Sequence, residues 1–134
     1  MIGPPLNLYE LYARPNELDG YDDRLRKVPH IAAEYLNEHP GNEDAEFGIH
    51  KDPFFSLEYA EGMLGERFPM GEPAIASDPR TVWYYSIQVI HGRFKEGERI
   101  IKFYGAMNRE DHFGDAEMIQ KIVCSKNYIE KFLS

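Results

Sequence analysis

An all-α fold, a short solenoid or bundle of tandem helical units, is predicted by three observations. First, Lys51 to Glu72 aligns without gaps on Ser77 to Glu98, a spacing of 26 residues. Seven positions are identical: Asp52/Asp78, Pro53/Pro79, Tyr59/Tyr85, Arg67/Arg93, Phe68/Phe94, Gly71/Gly97 and Glu72/Glu98. Self-similarity at such a period is the signature of stacked supersecondary units. Second, each copy opens on Asp-Pro. The Asp carboxylate can accept from free backbone N–H groups, and Pro sits at the first helical position, where a missing N–H does no harm. Third, Leu57, Ala60, Leu64 and Phe68 recur at helical spacing, as do Trp83, Ser86, Ile90 and Phe94, so both stripes are expected in the core. A hairpin of this length cannot bury its apolar face alone, so neighbouring copies must stack.

Taken in chain order, Met1 to Lys27 is punctuated by Pro4, Pro5, Pro15 and Gly20, leaving room for a short Leu6 to Tyr12 helix and a turn that cap the first repeat. A disordered tail is the competing reading, but Leu6, Leu8, Tyr9, Leu11 and Tyr12 are too apolar to favour it. A weaker copy follows: His30 to Glu38, with Ala32, Ala33, Tyr35 and Leu36, resembles the Ser56 to Leu64 helix if the connection through Pro40 and Gly41 is slightly longer. Upstream, Glu46 and Ile49 match Glu72 and Ile75, placing the start of each unit near that Glu. Gly71 and Gly97 are expected to break the long helices, after which Glu72 and Glu98 begin a shorter helical turn favoured by the helix dipole. Beyond Glu98 the pattern degrades, and Ala116-Glu117 opens a shortened last unit ending in a Tyr128 to Leu133 helix. The expected organisation is one domain over residues 1–134, with an N-terminal cap (1–27), repeats (28–102) and a degenerate C-terminal repeat (103–134).

Composition bounds the function. The chain has 134 residues, 43% of them hydrophobic and 13% aromatic, enough apolar surface to fold as one domain. The lone Cys124 cannot form an intramolecular disulfide, and the first eleven residues lack a signal-peptide pattern, so a cytoplasmic location is expected. A formal net charge of −8 has the wrong sign for nucleic acid or anionic membranes and points to a protein partner with a basic surface. The acidity is concentrated: Glu34 to Asp78 holds eleven acidic side chains against Lys51 and Arg67, while the rest of the chain nearly balances. Such asymmetry marks an interaction surface or, in the blander reading, a solvated helical face.

Units reading Asp-Pro, then Tyr-Ala or a similar pair, then Gly-Arg-Phe, two residues and Gly-Glu resemble a helical repeat of uncharacterised bacteriophage and bacterial proteins, over about residues 45–102. The resemblance implies helical repeats and a phage origin, and no catalytic residues. For a phage protein the location would be the host cytoplasm. Small acidic phage proteins often bind host proteins, including defence nucleases and the transcription machinery, sometimes presenting carboxylates where nucleic-acid phosphates would lie.

The search for chemistry is consistent with a non-enzymatic role. No nucleotide-binding glycine loop, paired-cysteine motif, His-Glu-x-x-His or Gly-x-Ser-x-Gly occurs, and no cofactor or metal is expected. His30 with Glu34, and His50 with Asp52, fall short of three ligands. Asp111-His112 has no paired nucleophile, and Cys124 beside Ile122 and Val123 reads as a buried thiol. Arg67 and Arg93, repeated within the unit, are expected to pair with Glu72 or Glu98.

Positions needed for stacking should agree between copies, and those facing a partner are free to diverge. On the long helices Glu58, Glu61, Gly62 and Gly65 correspond to Tyr84, Ile87, Gln88 and His91, each set forming a stripe by helical spacing. The candidate protein-binding residues are therefore Glu34, Glu38, Glu43, Asp44, Glu58, Glu61 and Glu66 from the acidic stretch, with Tyr84, Ile87, Gln88 and His91. Three classes of function remain: a non-catalytic binding module or inhibitor, a self-associating structural subunit, and a small enzyme using the Asn108 to Asp115 connection. The first fits best.

Overall fold

The computed structural model describes residues 21–134, and the expected Leu6 to Tyr12 helix lies outside them. The fold is all-α, as expected. Its helices are α1 (Tyr21–Lys27), α2 (Pro29–Leu36), α3 (Glu43–Ile49), α4 (Pro53–Tyr59), α5 (Glu72–Ile75), α6 (Pro79–Tyr85), α7 (Glu98–Gly105) and α8 (Ala116–Tyr128). Among the described residues, no helix is long and apolar enough to cross a membrane.

The elements sort into two rows. Helices α2, α4, α6 and α8 pack side by side in sequence, while α1, α3, α5 and α7 lie along the other row and contact the helices before or after them. Residues 21–27 thus form a helix packed on α2 and α3, where a turn was expected. Asp52 accepts from the N–H groups of Phe54 and Phe55 at 2.9 and 2.8 Å, Asp78 from that of Arg80 at 2.9 Å, and Pro53 and Pro79 follow them as the first helical residues.

The long helices do not end where the sequence suggests. Each of α4, α6 and α8 passes directly into one π-helical turn, Ala60–Leu64, Ser86–Ile90 and Ile129–Leu133 respectively. In the first two, a residue in the left-handed region, Gly65 (φ 64°) or His91 (φ 59°), stops the helix. Gly71 and Gly97 therefore do not break the long helices, because the chain has already left them. They sit buried at a close approach: a Cβ on Gly71 would lie 2.6 Å from Ser56 Oγ, and one on Gly97 2.5 Å from a Val82 methyl. Each begins just before a short helix, and those helices do open on Glu72 and Glu98.

The C-terminal unit also differs from expectation. Ala116-Glu117 opens a thirteen-residue helix capped by Asp115, so the last long helix is extended, not shortened. A 3₁₀ turn, Arg109–His112, and the 94% exposed Phe113 occupy the connection before it. At the other end, Pro29 takes the place of Pro53 at a helix start, and buried Ala32 and Leu36 take the places of buried Ser56 and Ala60. This earlier copy is therefore offset by 24 residues from its successor.

The core runs between the rows and contains Leu36, Ile49, Tyr59, Phe68, Ile75, Val82, Tyr85, Phe94, Ile101 and Tyr128, each at most 3% exposed. Three of its members are tyrosines whose hydroxyls do the work of joints. Tyr59 donates to Glu46 and accepts from Gly41 N–H; Tyr85 donates to Glu72 and accepts from Phe68 N–H; Tyr128 donates to Glu98 and accepts from Phe94 N–H. The hydroxyl–carboxylate distances are 2.6, 2.6 and 2.7 Å, in the range of charge-assisted bonds. Arg67 and Arg93 close two of these joints with bidentate contacts to Glu72 and Glu98 at 2.7–2.9 Å. Each arginine thus pairs, five residues on, with the Glu that opens the following unit.

Candidate functional site

The long-helix row carries the candidate surface. Phe54, Leu57, Glu58, Glu61 and Gly62, all on α4 and its π turn, line a cleft of about 290 Å³. The neighbouring α6 borders it: the Arg80 guanidinium lies 4.8 Å from the centroid of the Phe54 ring, a cation–π contact. With its amide oriented by its partners, Gln88 donates to both carboxylate oxygens of Glu61, reaching Oε1 at 2.6 Å. Glu61 and Gln88 thus tie the first π turn to the second.

Arg80 is held from behind by Asp78, with guanidinium–carboxylate distances of 3.0 and 2.8 Å. Burial pushes the Asp78 carboxyl up, but its bonds from Arg80 outweigh this and hold it below the usual range. The same pair keeps the Arg80 charge in place beneath the ring of Phe54. Cys124 lies in this neighbourhood, buried, and burial raises its thiol, so it is not an activated nucleophile.

The candidate residues divide as follows. Glu34 on α2, Glu58 on α4 and Tyr84 on α6 are all exposed and occupy equivalent turns of successive long helices, given the 24- and 26-residue offsets. Glu38 lies just beyond α2, exposed, at the level of Gly62 and Gln88. Ile87 is half-buried, and Glu66 is exposed in the loop after Gly65. Two expectations need correcting. His91 and Gly65 are not on the helical stripes, because their left-handed backbone ends each helix and turns the chain away. Asp44 is not a free carboxylate: Arg26 of α1 reaches it at 3.0 Å, and Glu43 stands exposed beside it in the first turn of the short-row helix α3.

Phe54 and Arg80 were not singled out in the sequence, yet they are counterparts in the two copies and diverge as sharply as Glu58 and Tyr84 do. The divergence rule, applied one helical turn earlier, finds them. Among the described residues no three His, Cys, Asp or Glu side chains converge as a metal site would require. Arg109, Glu110, Asp111 and His112 lie on one 3₁₀ turn, and Asp111 is exposed. No family model, curated protein or solved structure matches the chain.

Proposed function

We propose that the protein is a non-catalytic helical-repeat binding module, which docks a basic surface of a protein partner against the long-helix row. The observation that carries this reading is the run of exposed carboxylates, Glu34, Glu38, Glu58 and Glu61, leading along adjacent helices to a cleft lined by Phe54 and Leu57, with Tyr84 exposed on the next long helix. Carboxylates supply attraction at a distance, and the half-exposed aromatic rings supply contact area that loses little freedom when covered. Phage-encoded inhibition of a host nucleic-acid-handling or defence protein, with carboxylates standing where phosphates would bind, is the specific form proposed from the resemblance of its repeats.

The test compares capture of partners at low and high salt by the wild type and by Glu58→Lys/Glu61→Lys. The reading expects one basic, nucleic-acid-binding protein, lost with rising salt and with charge reversal, and displaced by DNA or RNA. Salt-insensitive capture would sink the mimic, and recovery of the chain alone would favour a self-assembling subunit.

A further inference from the structure

The short-helix row carries a second concave strip that shares no residue with the long-row cleft. At one end His50, Lys51, Met70, Pro73 and Ala74 enclose a hollow of about 400 Å³. At the other, Ala76, Ser77, Glu96, Arg99, Ile100 and Phe103 enclose about 440 Å³. The first five residues of the second set each stand 26 places after a member of the first set. A third hollow of about 400 Å³ lies between, sharing Pro73 with one and Ala76 and Glu96 with the other. The three form one groove with two equivalent subsites.

Apolar side chains line both subsites, and Met70 and Phe103 are left 41% and 59% exposed. Each subsite also holds one cation, Lys51 or Arg99, exposed and outside every ion pair formed among the described residues. Glu96 stands between them, exposed, while Glu72 on the floor is already occupied by Arg67 and Tyr85. Two unpaired cations framing an apolar groove on a chain of net charge −8 select a ligand unlike the one proposed for the long-helix row.

We infer that this groove binds an extended peptide segment of a partner, with one apolar side chain in each subsite and a carboxylate beyond each of them. Successive units are spaced as their packed long helices are, roughly 8–10 Å, and an extended chain in the polyproline II conformation advances ~9 Å per three-residue turn, which returns i and i+3 to one face, so apolar residues at i and i+3 match the subsites. The flanking carboxylates meet Lys51 and Arg99, and Glu96 accepts a backbone N–H from the middle of the peptide. A second copy of this chain fits less well, because it brings another net charge of −8.

The test is an NMR titration of the full chain, labelled at backbone amides and methyls. The probe is a synthetic peptide of about six residues, with leucine and phenylalanine three apart and aspartate at each end; its control carries lysine at both ends. The expected result is saturable shifts at Met70, Ile100 and Phe103, with Kd of order 0.1–1 mM for so small a ligand. Lys51→Glu/Arg99→Glu should weaken the aspartate peptide at least about tenfold and strengthen the lysine peptide, while an unchanged spectrum elsewhere verifies the fold. Glu58→Lys/Glu61→Lys should bind the aspartate peptide as the wild type does, which separates this inference from the long-row reading. Equal binding of both peptides, shifts centred outside the groove, or no shift at millimolar peptide would overturn it. Concentration-dependent shifts at these residues without peptide would assign the groove to a second copy and would overturn it equally.

Discussion

Replacing Tyr85 by Phe removes one oxygen and tests the joint between units directly. The hydroxyl donates to Glu72 at 2.6 Å and accepts from Phe68 N–H at 2.9 Å, and both rings are buried. Without it, the Phe68 N–H has no acceptor in a dry site, which costs roughly 1–3 kcal/mol, and Glu72 keeps Arg67 but loses a bond of the charged class, worth about 1.5–3 kcal/mol. These overlap, because one atom serves both, so a total of about 2–4 kcal/mol is expected. With an unfolding entropy of about 2.1 cal/mol/K per residue, the Tm of this chain should fall by roughly 7–14 °C. Tyr128→Phe should behave alike, since Phe94 is equally buried. Tyr59→Phe should cost less, about 1.5–2 kcal/mol, because it loses its bond to Glu46 but its N–H donor, Gly41, is exposed and can turn to water. Urea and thermal unfolding of the three variants, with exposed Tyr84→Phe as a control near zero, provide the assay. A loss below about 1 kcal/mol at Tyr85, or equal losses at Tyr59 and Tyr85, would refute the reasoning.

Further outcomes follow from the same geometry. Arg67 and Arg93, followed by Tyr85 and Tyr128, hold Glu72 and Glu98 below their ordinary 4.5, so their stabilisation is complete above 4.5 and lost as pH falls through the folded values. Burial and then the Glu46 and Glu98 bonds push Tyr59 and Tyr128 up to about 12, so the stability they confer is complete below 10 and lost as pH rises toward 12; urea midpoints across pH should trace this plateau. Gly48→Ala should abolish cooperative unfolding or cost more than about 4 kcal/mol, because its Cβ would lie 1.7 Å from the Leu25 carbonyl oxygen; Gly62→Ala meets nothing within 4 Å and should gain about 0.5–1 kcal/mol in urea. His91→Gly relieves a left-handed backbone at φ 59° and should raise stability by about 1 kcal/mol in the same assay.

What the sequence made legible were features with local causes. The Asp-Pro starts and the Arg67 and Arg93 pairings with Glu72 and Glu98 follow from residues a few positions apart, whereas Phe68 and Phe94 are buried although they lie beyond the helices on whose stripes they were expected. The joints were less legible because they bring together residues 13, 17 or more positions apart. Tyr59 and Tyr85 stood out as identical, but nothing local says that their hydroxyls bridge a carboxylate and a backbone N–H in the adjoining unit. The third tyrosine was hidden by the longer connection, which places it 30 residues after its Glu, not 13. Gly71 and Gly97 show why a glycine after a helix is ambiguous in sequence: backbone freedom and close packing both call for it, and here the cause is packing, with Ser56 and Val82 pressing on them. At the candidate surface, Glu58 and Tyr84 were found by comparing copies, whereas the pairing of Asp44 with Arg26 depended on α1, a helix where a turn was expected.

The tyrosine joint recognises where a carboxylate sits in space and ignores how much chain lies between the two. Tyr128 closes on Glu98 across the whole of α7, the Phe113 loop and most of α8, with the geometry that Tyr85 achieves over a connection less than half as long. The molecule therefore separates its fastening from its spacing. Between a Glu and its Tyr the exposed connection can therefore vary in length, as the Phe113 loop does, while Ile75, Val82, Ile101 and Ile122 stay buried, and an additional 26-residue unit spliced between Gly71 and Gly97 would bring its own Glu and its own Tyr to the seams on either side. An array of this kind can be lengthened like a chain of identical links, its two rows of outward-facing side chains growing in proportion while every fastening stays the same.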